Sequence, residues 1–152
     1  MSAADGEREP ALVRWVGTAH ELDGALAVRE EVFCREQGVP RAEELDGRDE
    51  EAEHIVALRP GDERVIGTLR LLRDGARAKI GRVAVERDWR GQGIASRMLE
   101  LALERARGLG CSDARLAAQL RATGVYARAG FAVESEPFEE AGITHVWMGR
   151  RL

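Results

Sequence analysis

The stretch Arg82-Val-Ala-Val-Glu-Arg-Asp-Trp-Arg-Gly-Gln-Gly-Ile-Ala-Ser-Arg-Met-Leu99 joins a short apolar run to a glycine turn and then to a helical pattern. Gly91 and Gly93 stand where the chain leaves a predicted strand and begins a predicted helix. Backbone N–H groups at a helix start have no partner within the helix and lie at the positive end of its dipole. Glycine also lets a large ligand approach the backbone closely. The stretch therefore predicts an anion site between a strand and a helix.

Apolar patterns on both sides of this turn predict strands and helices in alternation. The expected strands cover residues 12–16, 54–58, 65–73, 78–85, 114–118, 131–134 and 144–148. The expected helices cover residues 20–35, 94–109 and 120–128, with Leu22, Leu26, Arg29 and Phe33 along one face of the first. Because a strand–helix–strand crossover joins parallel strands, we predict an α/β fold with a mixed, mostly antiparallel sheet and helices on both faces.

Length and composition indicate one soluble domain. The chain has 152 residues, of which 44% are hydrophobic and 33% charged, and we assign residues 11–152 to the domain and 1–10 to a disordered tail. A net charge of −4 lacks the excess of base that is typical of nucleic-acid binders. No window approaches the roughly 20 apolar residues of a membrane span. The first ten residues have no apolar core, which predicts no signal peptide and a cytoplasmic protein.

The two cysteines predict no metal site. Cys34 and Cys111 lie far apart, and no other cysteine or histidine stands at metal-ligand spacing from either. We interpret both as reduced, buried thiols.

Two common phosphate-binding motifs do not fit the glycine turn. A nucleotide P-loop has Lys and Ser or Thr after its last glycine, where this chain has Ile94. A dinucleotide fingerprint has a third glycine or alanine at the position of Ser96 and an acidic residue after the next strand, where Ala118 and Gln119 stand.

The turn instead resembles the acyl-coenzyme A pyrophosphate loop of the GNAT family of N-acetyltransferases, in the pattern Arg90-x-x-Gly93-x-Ala95. Further along, Tyr126-Ala-Arg-Ala-Gly130-Phe131 resembles the tyrosine helix and Gly-Phe pair of that family. The segment Val32-Phe33-Cys34-Arg35-Glu36-Gln37 is similar to the ElaA/YjcF-like branch of GNAT proteins. So are Asp46, His54, the run from Ile80 to Val85, Ala118-Gln119, and Phe138-x-Glu140-x-Gly142-Ile143-x-His145-x-x-Met148.

The resemblance implies acetyl-CoA as co-substrate, no metal, and an enzyme that transfers an acetyl group to a primary amine. It assigns the pyrophosphate to backbone amides of Gly91, Gln92, Gly93, Ile94 and Ala95, with the Arg90 side chain as an outer phosphate contact. It places the pantetheine arm along the main chain of Val83, Ala84 and Val85. Tyr126, the sole tyrosine, would donate a proton or a hydrogen bond to the departing thiolate.

The acceptor side leaves several interpretations open. Glu36, Glu44, Asp46, His54 and His145 are alternative bases, as is a water relay, and Glu36 with Gln37 would line the acceptor site. Each of these side chains also has a purely structural interpretation. The acidic stretch over residues 41–53 is either a solvated surface or an attraction for a cationic amine.

Two functions of different classes are compatible with the sequence. The first is an acetyl-CoA-dependent N-acetyltransferase with a small-molecule or protein acceptor. The alternative is a non-catalytic acyl-CoA binding or sensing module that keeps the cofactor loop. The GNAT resemblance also raises a homodimer as one assembly, and neither a nucleic acid nor a membrane is an expected partner.

Overall fold

The computed structural model describes residues 9–152, and within this range eight strands form one mixed sheet. They are β1 (Leu12–Trp15), β2 (Glu53–Leu58), β3 (Val65–Asp74), β4 (Arg77–Val85), β5 (Asp113–Gln119), β6 (Ala132–Val133), β7 (Phe138–Glu140) and β8 (Ile143–Arg151). Their order is β1-β2-β3-β4-β5-β8-β6, and β7 also pairs with β8. The β4–β5 pair is parallel and the other pairs in the described residues are antiparallel, which confirms the predicted mixed sheet. Residues 1–8 of the predicted tail lie outside the described residues.

Helices cover both faces of this sheet, as predicted. Helix α1 (Ala19–Arg29) continues as a π-helical segment (Glu30–Glu36), and α2 (Arg41–Glu44), α3 (Ile94–Gly108) and α4 (Thr123–Arg128) follow along the chain. The side chain of Thr18 accepts a hydrogen bond from the amide of Glu21 and caps α1. Apolar residues of α1 share one buried cluster with β2, β3 and β4, whereas α3 and Tyr126 belong to the cluster on the other face.

The buried face of α1 differs from the predicted one. Of the four residues expected along one face, only Arg29 is buried; Leu22, Leu26 and Phe33 are half-buried. The helix lies so close to β3 that a Cβ at Gly24 would come within 2.5 Å of a Val65 methyl carbon. Small residues such as Ala25 therefore occupy the contact, and the larger leucines are displaced to its edges.

Three further elements differ from the prediction. The acidic stretch contains the short helix α2, β7 was not expected, and β8 is longer than the predicted strand. A three-residue strand such as β7 is too short to show periodicity, and it exists because β8 offers it a hydrogen-bonding edge.

The separation of β4 from β5 creates the space for a site. The two strands pair over only three positions, ending at Lys79 with Arg115, although β4 continues to Val85 and stays paired with β3. Within β4 the register shifts opposite Leu69, and Arg82 there has a φ of +50°. Such a bulge bends the strand and increases its twist. Beyond Lys79 the edge of β4 that faces β5 is therefore free of strand pairing.

Candidate active site

A cavity of about 690 Å³ occupies the gap between β4 and β5. It brings together nine of the candidate site residues named from the sequence, namely Gln37, Glu44, Asp46, Val83, Ala84, Val85, Arg90, Tyr126 and His145. A second cavity of about 500 Å³ adjoins it, shares Gln37 and Arg90, and is also lined by Glu36. His54 lines neither cavity, so the structure does not bring this candidate base to the site.

The glycine turn gives α3 an open N-terminus. Gly91 and Gly93 have φ values of +76° and +77°, which residues other than glycine rarely adopt. Among residues 9–152, no side chain caps this helix start, and no carbonyl accepts a hydrogen bond from the amides of residues 91–96. Several free N–H groups thus lie at the positive end of a 15-residue helix, an arrangement suited to a phosphate group.

The Arg90 side chain is engaged within the protein. Its Nη2 lies 2.9 and 3.0 Å from the two carboxylate oxygens of Glu36, and its Nε donates to the Val85 carbonyl at 2.8 Å. The guanidinium therefore ties the end of β4 to the π-helical segment. Glu36 supplies the negative charge that the guanidinium contacts in this arrangement, and the outer phosphate contact of Arg90 stays a prediction.

Tyr126 projects from α4 into the cavity and is 8% exposed. Its ring meets the edge of Phe131 at a centroid distance of 6.4 Å. No residue in the described range hydrogen-bonds to its hydroxyl, and burial raises the pKa of this phenol to about 12. The phenol thus remains protonated at neutral pH and has a hydrogen bond to donate.

His145 also lines the cavity and has one ring nitrogen that can accept a proton. Its Nδ1 lies 2.7 Å from the Ile143 carbonyl oxygen, and since a carbonyl only accepts, Nδ1 carries a proton. In the neutral ring, Nε2 then holds the lone pair. The ring stacks on Phe138 at 5.9 Å, which fixes its plane.

Gln119 is a site residue to which the sequence analysis assigned no role, although Ala118-Gln119 is part of the family resemblance. Its side-chain amide donates to the Gln37 oxygen at 2.9 Å, and the Gln37 amide donates in return at 3.4 Å, which joins β5 to the end of the π-helical segment. Arg115 was missed as well, although both lie on the cavity-facing side of β5. Strand alternation could have found them, since the intervening Leu116 and Ala118 point into the core.

A network of ion pairs holds part of the acidic stretch, whereas Glu43 and Glu50 are exposed as on a solvated surface. Two nitrogens of Arg70 donate to the two oxygens of Asp46 at 2.8 Å each, and Arg29 donates to Asp49 at 2.7 Å. Hydrogen bonds from Arg70 hold the pKa of Asp46 well below its usual range. Asp46 is therefore a poor proton acceptor at neutral pH, so its ion pair with Arg70 argues against Asp46 as the catalytic base.

The same network makes the stability of the fold acid-sensitive. Burial alone would raise the pKa of Asp49, but hydrogen bonds from Arg29 and Arg70 outweigh it and leave that pKa, like that of Asp46, lowered. A carboxyl whose pKa is lower in the folded state stabilises the fold at neutral pH and loses this contribution as pH falls through the folded value. We expect the free energy of unfolding, measured with urea, to decrease from about pH 4 downward.

The variant Asp46→Asn should lower that free energy at pH 7 by at least about 1 kcal/mol, because charged hydrogen bonds to Arg70 are lost. It should also make the acid decrease shallower. The matched control is Glu50→Gln, an exposed acid of the same loop, for which a change within about 0.5 kcal/mol is expected. Equal stability of Asp46→Asn and the wild type at pH 7 would contradict the role of this network.

Neither a cluster of metal ligands nor a membrane-spanning helix is found in the part of the chain that the structure describes. Within it, no group of three or more histidine, cysteine, aspartate or glutamate side chains could hold a metal ion. Over the same residues, no helix has the length and apolarity that crossing a membrane requires.

Known proteins resemble this chain in both sequence and structure. A family model described as "Acetyltransferase (GNAT) domain" matches residues 18–152. The uncharacterised N-acetyltransferase YjcF of Bacillus subtilis is 36% identical over 129 residues, which cover 84% of this chain and 91% of YjcF. An acyl-CoA N-acyltransferase from Pseudomonas aeruginosa is 33% identical, with a TM-score of 0.78 and coverage of 91% of this chain and 99% of the other. For Escherichia coli ElaA the identity is 25%, the TM-score 0.80 and the coverage 91% and 99%.

Proposed function

This chain belongs to the GNAT family of acetyltransferases, in its ElaA/YjcF-like branch, and we propose that it transfers the acetyl group of acetyl-CoA to a primary amine. The observation that carries this proposal is the open N-terminus of α3 beside a cavity that contains Tyr126. We assign the whole of residues 11–152 to one catalytic domain.

Acetyl-CoA would bind along the gap between the strands. The free amides of residues 91–96 would receive its pyrophosphate, because they supply several donors and the positive end of a helix dipole. Val83, Ala84 and Val85 would bond the pantetheine arm through the main chain, since β4 has no strand partner on that edge. Arg90 would act indirectly, by holding the Val85 carbonyl and the loop in place.

The transfer would proceed by direct attack. The neutral amine nitrogen attacks the thioester carbonyl, a C–N bond forms, and the C–S bond breaks as the thiolate leaves. A main-chain N–H of β4 would stabilise the tetrahedral oxyanion. Tyr126 would donate a hydrogen bond to the thiolate, because its hydroxyl has no other partner among the described residues and remains protonated.

The proton that the amine loses requires an acceptor. His145 fits this role best of the candidates considered, since its Nε2 lone pair is available in the neutral ring and the residue lines the cavity. Glu36 is committed to Arg90, and Gln37 to Gln119, so both would shape the acceptor entrance.

Acetyl-CoA binding and turnover test the proposal separately. In a thermal melt, acetyl-CoA at about 100 times its dissociation constant should stabilise the folded protein by about 2.7 kcal/mol. This should raise the midpoint of unfolding by about 5–10 °C. Free adenosine diphosphate, which lacks the pantetheine arm, is the control and should have a smaller effect. Release of CoA in the presence of a panel of amines then measures transfer.

Each outcome has a distinct meaning. If acetyl-CoA does not raise the melting midpoint, the assignment of the glycine turn to the pyrophosphate is wrong, and so is the proposed acetyltransferase function. The other outcome is a melting-temperature shift with acetyl-CoA but no CoA release that depends on the amine and decreases in Tyr126→Phe. That outcome would favour the non-catalytic acyl-CoA binding module.

A further inference from the structure

Unpartnered arginine nitrogens distinguish the acceptor side of the cavity. In residues 9–152, the buried side-chain nitrogen and oxygen atoms without a hydrogen bond are His54 Nδ1, Arg70 Nε and Arg115 Nε. Both arginines line the 690 Å³ cavity. Because buried polar groups in native proteins are almost always paired, two buried guanidinium donors at one cavity indicate an acceptor group supplied by a ligand.

Arg115 is held in a fixed orientation. Its guanidinium carbon lies 4.4 Å from the centroid of the Trp147 ring, a cation–π arrangement. The nearest carboxylate, that of Glu134, lies 3.7 Å from Nε, beyond hydrogen-bond distance. A guanidinium held over a ring in this way matches the two oxygens of a carboxylate and loses little entropy when it binds one.

The strand between the two arginines lacks a side chain at Gly81. Arg70 on β3 pairs with Gly81 on β4, and Arg115 on β5 pairs with Lys79, two residues earlier in β4. A Cβ added at Gly81 would meet no atom within 4 Å, so the cavity floor there is open.

The electrostatic surroundings of this floor are positive. More arginine and lysine side chains than carboxylates line the cavity, although the protein carries a net charge of −4. Burial and the neighbouring charge of Arg70 lower the pKa of Arg82, which also lines the cavity. An anion bound there would offset this repulsion.

An aromatic wall connects the floor to His145. Phe138 stacks on Trp147 at 5.4 Å and on His145 at 5.9 Å, so three rings lie in a row. Trp147 and His145 stand two residues apart on β8, about 7 Å along the strand. A ligand with its anionic group at Arg115 would therefore reach His145 with a chain of several bonds.

We propose that the acceptor is an amino-carboxylate, whose carboxylate binds Arg115 and Arg70 above Gly81 and whose primary amine lies at His145. This inference rests on the proposed acetyl transfer and names the acceptor class for the same site. The carboxylate takes no part in the bond changes; it positions the amine toward the thioester.

Paired acceptors test the proposal. Linear ω-amino carboxylates of four to eight carbons are compared with alkylamines of the same length that lack the carboxylate. We expect kcat/KM to be at least about tenfold higher for the best amino-carboxylate, the effect of one charged hydrogen bond. Arg115→Gln should abolish this preference, because the loss of rate falls mainly on the amino-carboxylate.

Two further variants separate specificity from folding. Arg77→Gln, on β4 and outside both cavities, removes an arginine that pairs with Asp113 and should keep the preference. Gly81→Val should fill the floor and weaken amino-carboxylates more than alkylamines. Equal rates for both kinds of amine in the wild type, or equal losses for both in Arg115→Gln, would overturn the proposal.

Calorimetry with CoA in place of acetyl-CoA measures acceptor binding without turnover. Tighter binding of the amino-carboxylate than of its alkylamine to the wild type, and not to Arg115→Gln, supports the proposal even where no transfer occurs. If acetyl-CoA binds and amines are acetylated but the carboxylate adds nothing to rate or affinity, the acceptor class is wrong and the acetyltransferase function stands.

Discussion

Replacing Gly93 by valine is expected to weaken acetyl-CoA binding at least about 100-fold, the loss of one or two charge-assisted hydrogen bonds. Gly93 has a φ of +77°, which a β-branched residue adopts only with strain. Relief of that strain turns the neighbouring amides away from the ligand. A Cβ added at Gly93 meets no protein atom within 4 Å, so the effect expected here comes from the backbone and not from a clash within the protein. Isothermal calorimetry of acetyl-CoA binding measures the effect.

Gly110→Val is the matched control for backbone strain. Gly110 has a φ of +80° and likewise no atom near its Cβ, but it lies beyond the opposite end of α3. Both variants should lose about 1–3 kcal/mol of stability, and only Gly93→Val should lose affinity. Wild-type affinity in Gly93→Val would show that the pyrophosphate is not held at this turn.

Tyr126→Phe is expected to lower kcat about 100-fold, the lower range for a group that assists proton transfer. The affinity for acetyl-CoA should change little, because the hydroxyl acts on the thiolate that forms only during the reaction. Steady-state kinetics at saturating acetyl-CoA and acceptor, together with calorimetry of acetyl-CoA binding, separate the two quantities. An unchanged kcat in the variant would exclude this hydroxyl from the rate-limiting transfer step.

The raised pKa of Tyr126 predicts how its hydroxyl assists. With a phenol pKa of about 12 and a thiol pKa near 8.5, full proton transfer to the thiolate is uphill by roughly 5 kcal/mol. The hydroxyl should therefore stabilise the thiolate by a hydrogen bond, and the proton should come finally from solvent. Since the phenol stays protonated below pH 10, no alkaline decline in activity between pH 6 and 10 should arise from Tyr126.

Phe131→Leu is the control for packing around Tyr126. Phe131 contacts the edge of the tyrosine ring, so its replacement should reduce stability by about 1 kcal/mol without a comparable loss of kcat. Tyr126→Phe should be close to wild type in stability, because its hydroxyl makes no hydrogen bond within residues 9–152.

Local patterns in the sequence were sufficient for the fold and for the place of the glycine turn at the start of α3. The glycine turn, the apolar stripe of α3 and the crossover to β5 each depend on residues close together in the chain, where backbone geometry and helix periodicity act directly. The prediction of the buried face of α1 was wrong because that face depends on the contact of Gly24 with Val65, some forty residues away in the sequence. Asp46 and His54 were plausible bases from residue type alone, since their partners were not visible.

The amino-acid order thus specifies an α/β sheet, a GNAT-type loop before a helix and one tyrosine on the helix that follows β5. Folding specifies which charges neutralise each other. Glu36 forms an ion pair with Arg90, 54 residues away in the sequence, and Gln37 is hydrogen-bonded to Gln119, 82 residues away. Arg115 retains an unpaired donor over Trp147 for the same reason. Hydrogen bonds and ion pairs act over a few ångströms and depend on direction, so their partners are set by the three-dimensional packing of distant segments.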